Sequence, residues 1–356
     1  MKTRWMIYGA TGYTGGLVVE AATQRGLAPV LAGRRASAVE AIAKRTGLEA
    51  RSFHLMDPAA AREALQDIAV VANCAGPFSA TSGPMITACL AAGSHYVDIT
   101  GEVAVFESAR ARDAEARDAG YVVCPGVGFD VIPTDCLAAV LAETLPGATH
   151  LALGFETDSP VSRGTAKTVV EGLRTGCLVR RDGNLVAVPL GSRTRRIDFG
   201  RGRRHAVAIP WGDVSTAFAT AGIPNIEVYL AVPWGAAFGM RLAEFLRGWL
   251  ARDGSQAWLK RRIERSVQGP DASRRGRTRT WVWGEARDAS GRAMTARVET
   301  ANAYDVTVEG VLIAVRHLLA YAGSGGYHTP TQLLGPRCIE SIPGTARITV
   351  EESGGR

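Results

Sequence analysis

The first half of the chain reads as an α/β unit, a doubly wound parallel sheet with helices on both faces. Three observations point there. An apolar run ends in a glycine cluster that opens a helix, strand-like and helix-like segments alternate up to residue 124, and one of the strands ends in a run of small residues.

The first strand is Trp5-Met6-Ile7. It runs into Tyr8-Gly9-Ala10-Thr11-Gly12-Tyr13-Thr14-Gly15-Gly16, and the apolar stretch from Leu17 to Ala22 continues as a helix. A strand, a tight glycine turn and a helix N-terminus make a pyrophosphate cradle, because backbone N–H groups and the helix dipole both face the anion. Gly9 suits the turn, Gly12 the close approach of phosphate, and Gly15 the packing of helix on sheet, with Thr11, Tyr13 and Thr14 in the same loop. The unit is therefore expected to be a Rossmann-type dinucleotide-binding domain.

The second strand, 28–32, ends in Gly33-Arg34-Arg35, where an NAD-preferring domain usually carries an acidic residue for the ribose hydroxyls. A guanidinium fork matches a phosphate monoester, so Arg34 and Arg35 predict NADP(H). Ser37 and Glu40 read as a capping box for the following helix, 38–45. Next come a strand at 50–54, a helix at 58–66, a strand at 68–73, a helix at 83–92, a strand at 95–99, a helix at 103–119 and a strand at 121–124. Ligands bind beyond the carboxyl ends of such strands. Asp57 suits either the adenine or an N-cap before Pro58. Asn73-Cys74-Ala75-Gly76-Pro77-Phe78 is a small-residue exit suited to the ribose and nicotinamide, and Gly101 is placed with these cofactor residues. Asp98 and Glu102 on either side of it are carboxylates suited to proton transfer, and Glu102 equally suits a helix start.

A length of 356 residues exceeds what one core usually supports, and 46% hydrophobic content supplies two. The N-terminus enters a strand directly with no leader before it, and the apolar stretch Val228 to Met240 is too short and too broken by Pro233 to span a bilayer. A cytoplasmic location is the expectation. The six cysteines form no CxxC pair and no cluster with histidine, so neither a metal site nor a disulfide framework is expected.

The glycine motif, Ala32-Gly33-Arg34, the 73–78 segment, Tyr96-Val97-Asp98-Ile99-Thr100-Gly101-Glu102 and Pro125-Gly126-Val127-Gly128-Phe129-Asp130-Val131-Ile132-Pro133-Thr134-Asp135 together resemble the saccharopine dehydrogenase-like oxidoreductases, most of all the trans-acting enoyl reductase branch. Ser162 to Lys167 and Gly326 to Pro330 extend the likeness, which is dense only up to about Asp135. The resemblance implies an NADP-binding domain at 1–147, an α/β substrate and dimerisation domain with a mixed sheet at 148–303, and C-terminal helices, 304–356, that return to the first domain.

Charge divides the chain. Residues 1–150 hold 12 Lys and Arg against 15 Asp and Glu, whereas the remainder holds 29 against 19. Nine arginines lie between Arg174 and Arg204, opposed in sequence only by Asp182 and Asp198. Such a surface suits an anionic partner such as a carrier protein, coenzyme A or acidic lipid. No reading helix, zinc module or aromatic stacking platform supports nucleic acid. Trp281 and Trp283 read as one strand face. The apolar positions between Ile226 and Leu250 fit ordinary packing, a homodimer contact or a peripheral membrane contact.

Hydride transfer needs little from a protein beyond orientation and a proton donor. No lysine follows a tyrosine by four residues, so the short-chain dehydrogenase arrangement is absent. Asp130, Lys167 and Tyr327 are the catalytic candidates, with His328 beside them, and each also suits a structural role. The expected function is an NADPH-dependent reductase of an enoyl C=C bond in a hydrophobic, acyl or prenyl type of substrate, carrier- or CoA-linked. The alternatives are an imine or ketone reductase and a dinucleotide-binding protein without turnover.

Overall fold

The computed structural model describes residues 2–159, 166, 170, 172, 176–250, 252–266 and 271–353. They form two compact units, one running to Ile132 and including Tyr304–Leu334, the other comprising Pro133–Ala303 and the chain from Gly335.

In the first unit β1 (Arg4–Tyr8), β2 (Val30–Gly33), β3 (Ala50–Ser52), β4 (Ile68–Asn73), β5 (His95–Asp98) and β6 (Val122–Cys124) alternate with helices. These are α1 (Tyr13–Gln24), α2 (Ala36–Thr46), α3 (Pro58–Ala64), α4 (Phe78–Ala92), α5 (Val103–Arg110) and α6 (Asp113–Ala119). The strands join a seven-stranded parallel sheet in the order β15-β6-β5-β4-β1-β2-β3, where β15 is Gly326–Tyr327. Chain direction across the sheet reverses between β1 and β4, and right-handed crossovers then put helices on both faces. All six residues of β4 are buried, as a central parallel strand requires.

Local boundaries depart from the sequence reading where a distant residue supplies the cap. Helix α4 begins at Phe78, five residues before the expected start, because the Glu102 carboxylate accepts from the Phe78 and Ser79 N–H groups at 3.0 and 2.9 Å. Helix α2 starts from Arg35 with no side-chain cap, which places Ser37 inside the first turn and removes the capping box. The 103–119 stretch breaks into α5 and α6 at Ala111 and Arg112. The edge strand β15 leaves no signal in the sequence because its two residues carry no periodicity.

The second unit starts with α7 (Ile132–Thr144), followed by β7 (His150–Thr157), β8 (Cys177–Arg181), β9 (Asn184–Val188), β10 (Thr194–Asp198) and β11 (Arg203–Ala208). Then come α8 (Asp213–Ala221), β12 (Asn225–Ala231), α9 (Ala236–Phe245), α10 (Arg247–Leu250), α11 (Asp253–Ser266) and α12 (Ala272–Arg277). Strands β13 (Thr280–Arg287), β14 (Ala293–Thr300) and β16 (Thr349–Glu352) complete it. The sheet is mixed, with backbone order β10-β11-β12-β7-β13-β14-β16 and the β8–β9 hairpin attached through β12. Trp283 is buried in its core with Trp281 packed beside it, as the alternating tryptophans suggest.

The division falls at Pro133, not at residue 147, because α7 belongs to the second sheet: a Cβ on Gly284 of β13 would lie 2.9 Å from Leu141 Cδ1. Only part of the 304–356 stretch returns to the first unit. Helix α13 (Ala303–Leu319), β15 and α14 (Pro330–Leu334) go there, whereas β16 pairs with β14 of the second sheet.

Candidate active site

Beyond the carboxyl end of β1 the chain turns at Gly9, whose φ of +87° favours glycine. A Cβ there would lie 2.7 Å from the Ala75 N, so the loops after β1 and β4 touch through backbone alone. The Gly9 N–H donates to the Ala32 carbonyl at 2.9 Å and the Cys74 N–H to the Tyr8 carbonyl at 2.7 Å, which ties three strand ends together. At Gly15 a Cβ would sit 2.2 Å from the Gly9 oxygen, so α1 packs where only glycine fits. Gly12 is different. It is exposed, and its Cβ would meet Gly9 O at 3.2 Å and Cys74 O at 3.9 Å, so a side chain there would crowd the turn itself. Gly12 caps α1 with no side-chain hydrogen bond, and the first turn holds no acidic residue. Thr11 and Thr14 are half-buried beside it, and exposed Tyr13 meets Tyr304 edge-on at 5.1 Å. A helix N-terminus without its own carboxylate or side-chain cap, opened by an exposed glycine, fits a pyrophosphate.

Arg34 and Arg35 follow β2, both exposed and without an ion pair among the described residues. The Arg34 charge acts on Tyr8, whose hydroxyl is held above its usual range chiefly by burial and eased down by Arg34. Two unpaired guanidiniums beside the glycine turn fit a 2′-phosphate. Asp57 caps α3, accepting the Ala60 N–H at 3.0 Å, which is the structural one of its two readings.

The next strand ends are joined by a buried polar chain. Asn73 Nδ2 donates to Tyr96 Oη at 3.3 Å, and Tyr96 Oη donates to Asp98 Oδ2 at 2.6 Å. Asp98 Oδ1 accepts the Thr100 and Gly126 N–H groups at 3.0 and 2.9 Å. Asn73 Oδ1 accepts the Ala75 N–H at 3.1 Å. Burial pushes the Asp98 carboxyl up to about 6 against these donors. Asn73 thus shapes the loop from below, while Ala75, Gly76, Pro77 and Phe78 run from half-buried to exposed. Cys74 is buried, and burial together with the Asp98 charge raises its thiol to about 12, which leaves it inert at neutral pH.

Asp130 sits against Gly101: a Cβ on Gly101 would lie 2.7 Å from Asp130 Oδ2. This brings the turns after β5 and β6 together. The carboxyl has no hydrogen-bond partner among the described residues, and desolvation pushes it up to about 7. The turn is braced by α13, since the Phe129 N–H donates to Thr307 Oγ1 at 3.0 Å and a Cβ on Gly310 would stand 2.4 Å from the Val127 oxygen. The bracing residues Thr307 and Gly310 lie about 180 residues from the turn in sequence, and no local pattern announces them.

The other candidates are placed differently. Tyr327 is buried in β15, and its N–H donates to Asp113 Oδ1 at 2.9 Å. The neighbouring His328 imidazole is held below its usual range, chiefly by burial. Lys167 lies outside the described residues. In the second unit many of the arginines that sequence order leaves unopposed are matched by carboxylates from other strands of the sheet. Arg181 pairs with Glu227, Arg195 with Glu285 at 2.6 Å, and Arg204 with Glu156 at 3.1 Å. Arg180 is buried, its Nε donating to the Val214 carbonyl at 2.6 Å. Arg193, Arg196 and Arg203 remain without a carboxylate partner among the described residues.

A glycine turn at the switch point of a parallel sheet, feeding an uncapped helix, defines a dinucleotide-binding domain of the Rossmann type. Residues 5–124 match the family model described as the saccharopine dehydrogenase NADP binding domain, so this unit binds NADP(H). Beyond that unit the chain is similar to saccharopine dehydrogenase-like proteins. It is 30% identical over 185 residues to the trans-acting enoyl reductase of Mycobacterium ulcerans, covering 48% of this chain and 44% of that one. It is 26% identical over 221 residues to a saccharopine dehydrogenase-like oxidoreductase of Pongo abelii, covering 54% and 52%. The chain thus spans about a third to a half of the length of the curated relatives it matches. In fold it is similar to the L-Glu-forming saccharopine dehydrogenase of Saccharomyces cerevisiae, with a TM-score of 0.67 over 99% of this chain and 100% of that one at 13% identity.

Proposed function

We propose that the protein is an NADPH-dependent oxidoreductase that reduces the C=C bond of an enoyl acceptor, hydrophobic or thioester-linked. The observation that carries this reading is Asp130, a carboxyl at the ligand-binding edge of the sheet that keeps its proton to about pH 7. The Gly12 turn and the N-terminus of α1 would hold the pyrophosphate, and Arg34 with Arg35 the 2′-phosphate. Ala75 to Phe78 and Gly101 would flank the ribose and nicotinamide. Bound NADPH supplies a hydride. Conjugate reduction also places a proton on the carbon beside the carbonyl, and Asp130 is the group poised to hold it and to regain another from water. Tyr327 and Lys167 rank behind Asp130 as donors, the first because it lies in an edge strand.

The names of the mycobacterial relatives support the enoyl acceptor. Arg193 and Arg196, which have no carboxylate partner among the described residues, support an anionic handle such as a carrier or coenzyme A. The test is NADPH oxidation by the purified chain with a series of trans-2-enoyl thioesters, set against ketones and against an amino acid mixed with an oxo acid. Turnover with the enoyl series alone is expected. Turnover only with the amino acid and oxo acid supports imine reduction, and tight NADPH binding without any turnover supports a protein that binds without catalysis.

A further inference from the structure

Helix α9 is mounted inside out. Its polar residues face the body of the second unit: Glu244 Oε2 accepts the Leu190 N–H at 3.1 Å, and Arg241 Nε donates to the Gly191 carbonyl at 2.9 Å. The helix backbone lies so close there that a Cβ on Gly191 would stand 2.7 Å from the Ala237 oxygen. Met240 packs on the core cluster, and no residue of α9 is buried. The apolar residues point outward instead. Phe238, Leu242 and Phe245 follow at spacings of four and three on one face of α9, with Phe238 and Phe245 74% and 86% exposed, and exposed Trp249 continues the series on α10. Trp234, 80% exposed, precedes this face, and exposed Trp258 of α11 follows it. So many exposed large aromatics along one helical stretch are uncommon on a monomer.

The surrounding charge selects the occupant. Arg252, just before α11, and Arg261, Arg262 and Arg265 on α11 are exposed, against exposed Asp253 and Glu264 alone among the acids of α9 to α11. Tryptophan and phenylalanine on one face with arginine along its borders is the composition of helices that lie in a bilayer interface, where indole rings sit at headgroup depth and guanidiniums meet anionic lipid. Among the described residues no helix is long and apolar enough to cross a membrane. We infer that α9, α10 and α11 form a peripheral docking surface for an anionic lipid bilayer, lying on it and not through it. The inference does not depend on the reductase reading, and its test needs no turnover.

The test is flotation of the full chain with phosphatidylcholine vesicles and with vesicles containing roughly one third phosphatidylglycerol. The chain is expected to float with the anionic vesicles, at least about tenfold less with neutral ones, and less at about 1 M salt, where the Debye length falls to about 3 Å. The variant Phe238→Ser/Phe245→Ser/Trp249→Ser is expected to stay behind while its circular dichroism and NADPH titration match the parent. Failure of the parent to float with anionic vesicles overturns the inference, as does flotation of the variant equal to the parent's. A parent that is dimeric by light scattering and becomes monomeric in the variant makes a second copy the occupant and also overturns it. Should the variant misfold, quenching of the parent's tryptophan fluorescence by brominated phosphatidylglycerol decides: strong quenching supports docking, and none refutes it.

Discussion

Replacing Asp130 by asparagine tests the proton-donor role with little change of shape. With the carboxyl pushed up to about 7 by burial, half of the molecules carry the proton at about pH 7 and roughly a tenth at about pH 8. The parent's kcat on an enoyl acceptor should therefore fall about tenfold per pH unit above neutrality. Asparagine holds no acidic proton, so Asp130→Asn should lose about 10²- to 10⁴-fold in kcat and should lose the pH dependence of the remainder, with NADPH affinity unchanged. Stability gives an independent reading. A folded-state value above the unfolded one means that the protonated acid favours the fold below about pH 4, and that this contribution is lost as pH rises through about 7. The Tm of Asp130→Asn relative to the parent should thus be higher at about pH 8 than at about pH 4. Steady-state rates at 340 nm and melting curves across pH supply both measurements. A variant with parental kcat, or a parent whose rate is flat between about pH 6 and pH 8, refutes the assignment.

Other substitutions separate cradle from scaffold. Gly12→Val should abolish NADPH binding while circular dichroism shows an intact fold, because its side chain would crowd the exposed turn between Gly9 O and Cys74 O where the phosphate approaches. Gly15→Ala should instead destabilise the first unit by about 3 kcal/mol, since its Cβ would stand 2.2 Å from the Gly9 oxygen; a parental melting curve contradicts this packing. Asp98→Ala leaves the Tyr96 hydroxyl and two N–H groups without their acceptor and should cost about 3 kcal/mol in urea unfolding. Arg193→Ala/Arg196→Ala should raise the KM for a CoA-linked acceptor and weaken its salt dependence; unchanged values remove the carrier or CoA handle from the account.

The first unit was legible because its signals are local. The spacing of Gly9, Gly12 and Gly15 encodes a turn that geometry requires: Gly9 meets the loop after β4, and Gly12 and Gly15 both face the Gly9 oxygen. The alternation up to Cys124 gave the parallel sheet for the same reason. What escaped was supplied from a distance. The start of α4 depends on Glu102, the seventh strand on residues 326–327, and the position of Asp130 on Thr307 and Gly310. The same holds for charge. The basic stretch beginning at Arg174 looks unopposed in sequence, yet Glu156, Glu227 and Glu285 reach it across strands whose pairing a linear reading does not reveal.

Fluorescence titration with NADPH and NADH tests the central claim most directly. With Arg34 and Arg35 on the 2′-phosphate, NADPH should bind about 10- to 100-fold more tightly than NADH, roughly 1.4 to 3 kcal/mol. Arg34→Ala should remove most of that difference by weakening NADPH and leaving NADH unchanged. Equal dissociation constants for the two cofactors, or an Arg34→Ala chain that binds NADPH as tightly as the parent, would contradict the account.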